Sequence, residues 1–239
     1  MSNVTVKICG LMREADVRLC LDLGVDVLGF VTEYPVPVPW NLRREEALPL
    51  LGMAGPPHRS CIVTGGTPEK VIPLALALRP SLVQLHYRET LADTIRISDA
   101  LEPLGIGVIK TVPPEPDERI HQFGTSDLGA IITALNKTKI FAMLADSRVP
   151  ARAAEQGVAV DLDFCRDILR LSQKPVIIAG GLRADNACQM VMDTGAVFID
   201  VMTGVERNPG EKDAALLRRL LSAIRHACPP PDGNTQKRL

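Results

Sequence analysis

The chain has 239 residues, of which 46% are hydrophobic and 23% charged, and its 27 Lys and Arg nearly balance 28 Asp and Glu. That length is ample for one well-buried core or a single large α/β barrel. A formal net charge of -1 and an aromatic content of 3% exclude the two commonest handles on nucleic acid, a basic field and a stacking platform. They also leave nothing to draw the chain to an anionic membrane.

The opening residues, Met1 to Lys7, are too polar for a secretory signal. No run approaches the roughly 18 apolar residues of a membrane span, so a cytoplasmic protein is expected. Short runs rich in Val, Ile and Leu predict strands over residues 4–8, 26–31, 59–63, 82–86, 106–112, 139–145, 175–179 and 197–201. They lack strict alternation, as parallel strands buried on both faces do. After the first strand, Val17, Cys20, Leu21 and Gly24 recur at helical spacing and predict one buried stripe. A late helix is expected to begin near Asp185. The last is expected from near Glu211, with Leu216, Leu217, Leu220, Leu221 and Ile224 facing inward.

Eight strand signals at about 30 residues per unit match a (β/α)8 TIM barrel with a parallel eight-stranded sheet. A doubly wound open sheet is the competitor. It would show a G-x-G-x-x-G turn after the first strand if it bound a dinucleotide, and none is present. One barrel domain is expected over 1–228, followed by a tail over 229–239 that has no apolar content to bury and is expected to be disordered. The six cysteines (Cys9, Cys20, Cys61, Cys165, Cys188 and Cys228) are scattered, without a C-x-x-C or a nearby His pair. They are expected to be free thiols in a reducing compartment, and no metal site is expected.

In such a barrel the loops after the strands build the active site. Strand one ends in Lys7-Ile8-Cys9-Gly10, strand four in Gln84-Leu85-His86 and strand five in Lys110-Thr111. Strand six ends in Asp146-Ser147-Arg148, strand seven in Gly180-Gly181 and strand eight in Asp200, followed by Met202-Thr203-Gly204. A thiol, a carboxyl and an imidazole are thereby expected on one rim. A lone cysteine there is often an inert core residue. Asp146 opposite Cys9 makes a thiolate base and a carboxylic acid available to one substrate. The thiol would need its pKa lowered by a cation or by backbone dipoles. The glycines after strands seven and eight let backbone N–H groups approach an anion, so Gly180, Gly181, Thr203 and Gly204 are candidate phosphate ligands; the plainer reading is tight turns. His86 is a candidate substrate contact or simply a rim hydrogen-bonder. Gly65-Gly66 is read as a turn.

Val6-Lys7-Ile8-Cys9-Gly10-Leu11, Val83-Gln84-Leu85-His86, Asp146, Gly180-Gly181-Leu182 with Asn186, Asp200-Val201, Gly204-Val205-Glu206, Pro209-Gly210 and Lys212-Asp213 together resemble the phosphoribosylanthranilate isomerase family. The matches keep family order from residue 4 to about 225. The resemblance implies a cofactor- and metal-independent aldose–ketose isomerase of tryptophan biosynthesis. It would carry out the Amadori rearrangement of N-(5-phosphoribosyl)anthranilate to 1-(2-carboxyphenylamino)-1-deoxyribulose 5-phosphate. Carried over by position, Cys9 takes the proton from ribose C2 and Asp146 protonates the ring oxygen. Lys7, His86, Asp200 and Trp40 fall at substrate-binding positions. The implied partner is a small phosphorylated sugar, with no nucleic acid and no membrane, bound by a monomer or homodimer.

Three positions depart from the family pattern. Trp40, in Tyr34-Pro35-Val36-Pro37-Val38-Pro39-Trp40-Asn41, stands where an Arg is expected to meet the anthranilate carboxylate. Such a charge-assisted contact is worth roughly 1.5–3 kcal/mol, and Arg43 and Arg44 are expected on the next helix. The loop Ala153-Ala154-Glu155-Gln156-Gly157-Val158 holds one Gly and adds a negative charge. Tyr87 follows His86 where the family has Gly. Two alternatives therefore stand beside the family reaction. One is a paralogue isomerising another phosphoribosyl amine or sugar phosphate, and the other is a non-catalytic barrel that binds a phosphorylated ligand. Retention of both Cys9 and Asp146 argues against the second.

Overall fold

A computed structural model describes residues 4–146 and 161–227. Ser147, Arg148, the loop at 153–158, Cys228 and the tail at 229–239 lie outside the described residues. Strands β1 (Thr5–Ile8), β2 (Val27–Val31), β3 (Arg59–Thr64), β4 (Leu82–Leu85), β5 (Gly107–Val112), β6 (Ala142–Asp146), β7 (Val176–Ala179) and β8 (Phe198–Val201) pair in parallel, each with its sequence neighbour. The pairing of β1 with β8, which sets Lys7 opposite Asp200, closes the barrel. Helices α1 (Glu14–Asp22), α2 (Arg44–Leu51), α3 (Pro68–Leu78), α4 (Leu91–Leu101), α5 (Pro116–Phe123), α6 (Leu128–Asn136), α7 (Leu162–Leu171), α8 (Ala187–Thr194) and α9 (Ala214–Ser222) run between or after them. The crossover from β5 to β6 carries two, α5 and α6. All eight expected strands form, with ends displaced by up to three residues.

Strand parity distributes the chemistry. One set of side chains packs outward against the helices in the main core, as Val6, Ile8, Leu28 and Phe30 do. The alternate set fills the barrel axis, where Val27, Cys61, Leu82, Ile109, Leu144 and Phe198 form a separate apolar plug. Two residues further along the same faces, the interior turns polar with Lys7, Gln84 and Asp200, all buried. Gly29 makes room for this layer. A Cβ there would lie 3.0 Å from the Cys9 Cα, 3.1 Å from its Sγ and 3.1 Å from the Lys7 Cε.

Two helix expectations need correction. In α1 the buried residues are Asp16, Val17 and Cys20. Leu21 is half-buried and Gly24 is exposed, beyond the helix end in a left-handed turn at φ +66°. The last helix starts at Ala214, because Glu211–Lys212 pairs as a strand (β10) with Glu206–Asn208 (β9). Asp213 then caps the helix, its Oδ1 accepting from Ala215 N (2.8 Å) and Leu216 N (3.0 Å). Leu217, Leu220, Leu221 and Ile224 are buried as expected, while Leu216 is half-buried. Among the described residues, no helix is long and apolar enough to cross a membrane, and no group of three or more His, Cys, Asp or Glu is placed to hold a metal ion. The five described cysteines are free.

Candidate active site

At the C-terminal ends of the strands lies a cavity of about 400 Å³. Cys9, His86, Asp146, Asp200, Trp40 and Gly180 all line it, together with Gln84 and Thr203. The barrel thus gathers in one place groups that are up to 194 positions apart in the chain. Lys7 does not line the cavity. It lies fully buried beneath the floor, its Nζ donating to Asp200 Oδ2 at 2.7 Å.

Cys9 occupies the end of β1, where its backbone N–H donates to Val201 O at 2.9 Å. Burial pushes its thiol up, and Lys7 pulls against that rise. Cys61, one layer deeper, is pushed up to about 12 by burial and is inert plug. The Lys7 ammonium would be pushed down by burial alone, but Asp200, with lesser help from the thiols, holds it above the ordinary lysine range. The Lys7 ammonium therefore stays charged, paired with Asp200 at the base of the cavity, and this pair fixes one carboxyl oxygen. It leaves Asp200 Oδ1 buried without a hydrogen-bond partner, and Gln84 Oε1 is in the same condition. Unsatisfied buried acceptors are costly. Two of them bordering one cavity are a ready match for the hydroxyl donors of a polyol.

Across the cavity, His86 Nε2 lies 3.6 Å from Asp146 Oδ2. Gln84 Nε2 meets His86 Nδ1 at 2.8 Å; with the amide donating, the proton of the neutral ring sits on Nε2 and faces Asp146. Burial pushes the His86 pKa down, more than Asp146 raises it, so the neutral form prevails at pH 7. The backbone here is braced from the cavity wall and from behind it. The Tyr34 hydroxyl donates to His86 O at 2.6 Å. Tyr87 packs edge-to-face on the Tyr34 ring, 6.1 Å between centroids, and does not line the cavity. Glu89, paired with Lys110 at 3.0 Å, accepts from Tyr87 N (3.2 Å) and Gly66 N (3.0 Å).

The wall after β2 is apolar: Val31, Tyr34, Val36, Pro37, Val38 and Trp40. Trp40 Nε1–H donates to both Glu206 oxygens, at 3.0 and 3.2 Å, so the indole presents carbon to the cavity. No Lys or Arg lines this cavity among the described residues. Arg43 and Arg44 lie at the start of α2, as expected, and pair with Glu46 and Glu33.

A second recess of about 280 Å³ adjoins the first through Thr203 and is lined by Gly181, Gly204, Arg183 and Arg219. Gly204, in the 3₁₀ turn Thr203–Val205, could carry no side chain, since a Cβ would lie 1.9 Å from Leu182 O. The loop after β7 is stapled by Asn186, which accepts from Arg183 N (2.7 Å) and donates to Gly181 O (3.0 Å). The late helix begins at Ala187 with Asn186 as its cap. No role was assigned from the sequence to Gln84, Tyr34, Arg183, Arg219 or Lys212, although Gln84, Tyr34 and Lys212 stand within the runs quoted above. For Gln84 the signal was present, because it stands two residues before His86 and shares its face.

A parallel barrel with polar groups converging at its strand C-termini, and with glycine loops after strands seven and eight, has the architecture of the phosphate-handling TIM-barrel enzymes. Comparison with known proteins narrows that class. Residues 6–223 match the family model described as N-(5'phosphoribosyl)anthranilate (PRA) isomerase, and the chain belongs to that isomerase family. It is 32% identical over 230 residues to the N-(5'-phosphoribosyl)anthranilate isomerase of Bradyrhizobium sp. (strain ORS 278), covering 94% of this chain and 97% of that one. The phosphoribosyl anthranilate isomerase structure from Thermus thermophilus superposes with a TM-score of 0.73 at 26% identity, covering 92% and 98%. A phosphoribosyl anthranilate isomerase solved with reduced 1-(o-carboxyphenylamino)-1-deoxyribulose 5-phosphate shares the fold at a TM-score of 0.72 and 23% identity, covering 93% and 98%.

Proposed function

We propose that this chain catalyses the Amadori rearrangement of N-(5-phosphoribosyl)anthranilate in the cytoplasm, with Cys9 as base and Asp146 as acid. Asp146 donates a proton to the ring oxygen as the C1–O bond breaks, leaving an open-chain iminium between C1 and the aryl nitrogen. The Cys9 thiolate takes the proton from C2, and its electron pair becomes the C1=C2 bond of an enolamine. A proton delivered to C1 and loss of the C2 hydroxyl proton then give the ketose. The observation that carries this reading is that Cys9 and Asp146 line one cavity together with Asp200 and His86. Asp200 Oδ1 and Gln84 Oε1 accept from sugar hydroxyls. Lys7 acts through Asp200 by holding its Oδ2, which leaves Oδ1 for the sugar. The phosphate lies where Gly180, Gly181, Thr203 and Gly204 meet, with Arg219 adding positive charge and Arg183 beside it paired with Asp185. The aryl ring packs against Trp40. Loss of fluorescence from phosphoribosylanthranilate, freshly made from anthranilate and ribose 5-phosphate, tests this directly when the product is identified by mass.

A second reading is favoured by one observation, the lack of any Lys or Arg in the described cavity wall, with the Trp40 N–H already held by Glu206. On that reading the preferred aglycone carries no carboxylate. The riboside of aniline, assayed beside that of anthranilate, separates the two by which is turned over faster.

A further inference from the structure

Lys212 is a buried cation beside the cavity that the mechanism above leaves unused. Its ammonium donates to Cys9 O at 2.5 Å, to Glu206 Oε1 at 2.6 Å and to Met202 O at 3.4 Å, which occupies all three of its N–H groups. Its backbone N–H donates to Asp16 Oδ2 at 3.2 Å, tying the β9–β10 hairpin to α1. Glu206 in turn accepts from Trp40 Nε1 and from Gly210 N. A buried ion pair is weak support for stability, because an apolar pair of similar volume often serves as well. What this pair does hold is the carbonyl of the residue that carries the thiol. Together with the Cys9 N–H bonded to Val201 O, it pins the backbone of Cys9 on both sides.

We propose that Lys212 is a positioning residue for Cys9: by holding the Cys9 carbonyl it clamps the end of β1 so that the thiol points into the cavity, and it brings a second positive charge to the residue that carries the thiol. The inference rests on the reading of Cys9 as the base. The charged and titratable groups facing Cys9 are Lys7 of β1, Asp200 of β8, Cys61 of β3 and Lys212 of β10, with Asp146 and His86 across the cavity. Lys212 itself faces Glu206, Asp16 and Cys20. Burial raises the Cys9 thiol most and Lys7 opposes it; Asp200 adds to the rise and Lys212 offsets it. Both cations are ion-paired, Lys7 with Asp200 and Lys212 with Glu206; Lys7 acts on the thiol more strongly, and Lys212 adds to it from beside the Cys9 carbonyl.

The test uses Lys212→Met and the double variant Glu206→Gln/Lys212→Met, which leaves no buried carboxylate unpaired and so guards against simple misfolding. Two readouts are taken: kcat and KM on the family substrate, and the pH dependence of Cys9 alkylation by iodoacetamide, followed by peptide mass. The expected result in both variants is a kcat lowered about ten- to hundredfold with KM within about threefold, and a Cys9 alkylation profile displaced to higher pH. A lowered Tm with wild-type kcat and an unmoved alkylation profile would mean a merely structural role and would overturn the proposal, as would a rise in KM alone. Alkylation needs no turnover, so the two readings fail separately. If Cys9→Ser keeps full activity, the base assignment is wrong. The alkylation profile then decides for Lys212 by itself, a displaced profile upholding the clamp and an unmoved one overturning it.

Discussion

The two ends of the barrel carry hollows of opposite character. At the N-terminal ends of the strands is one of about 850 Å³, bordered by turn residues such as Gly55, Pro56 and Gly105 and by Arg59, Lys139 and Glu102. The C-terminal cavity is less than half as large, about 400 Å³. In the larger hollow the polar groups are satisfied locally. Ser60 and Ser81 exchange hydrogen bonds with each other's backbone (3.3 and 3.1 Å), Arg59 lies over the Phe141 ring, and Lys139 stands 3.7 Å from Glu102. None of the buried side-chain atoms without a partner, among the described residues, belongs to its lining, whereas Gln84 and Asp200 of the smaller cavity both contribute one. Volume therefore does not distinguish the proposed site. What sets the smaller cavity apart from the larger one is a pair of unpartnered acceptors beside the Lys7–Asp200 ion pair; the other buried atoms without a partner, on Thr111, Glu115, Arg119 and Gln122, line neither hollow.

The sharpest way to break that contrast is to remove the acid. Asp146→Ala is expected to lower kcat by about 10²–10⁴, the usual share of a positioned proton donor, with a small change in KM. Steady-state kinetics check it, and a loss below tenfold would move the acid elsewhere. Next in size is Gly204→Ala. Its new Cβ falls 1.9 Å from the Leu182 carbonyl oxygen, so the loops after β7 and β8 must part. A cost of about 1–3 kcal/mol in stability is expected, read as a lowered Tm together with a raised KM for the phosphorylated substrate.

The pH profile sharpens the comparison. For a thiolate base working with a protonated carboxyl, kcat/KM is level between the two pKa values. It falls above that of the thiol, where acid is lost with no further gain of base. Burial holds Cys9 up, against Lys7, so the descending limb should lie above the ordinary thiol value of about 8.5. A limb below it, or one that stays in place after Cys9→Ser in a still-active enzyme, would assign it to another group. The smallest effect is expected from Lys139→Ala in the larger hollow. Both partners of that contact are more than half exposed, so stability should move by no more than about 0.5 kcal/mol, and kcat should not move at all.

The barrel was legible because its strands are short Val- and Ile-rich runs at even spacing, and parity along them already aligned Cys9 with Lys7 and His86 with Gln84. Helix ends were less legible. Glu211–Lys212 reads as the first turn of an amphipathic helix, yet it pairs with β9 and sets Lys212 against Cys9 O and Glu206, contacts that span up to 203 residues and leave no local pattern. For the same reason Trp40 stood out in the sequence as a missing cation. Its actual bond to Glu206 joins loops at opposite ends of the chain. Lys7 illustrates the remaining limit. Its position at a strand end marks it for the mouth, but strand closure sets it opposite Asp200, beneath the cavity floor.

The most direct measurement sets one variant from each end of the barrel side by side, Cys9→Ala and Arg59→Ala, in kcat/KM on freshly generated phosphoribosylanthranilate. The account predicts a loss of a hundredfold or more, about 3 kcal/mol of transition-state stabilisation, for Cys9→Ala, and wild-type turnover for Arg59→Ala. Full activity in folded Cys9→Ala, or a collapse of kcat in folded Arg59→Ala, would contradict it.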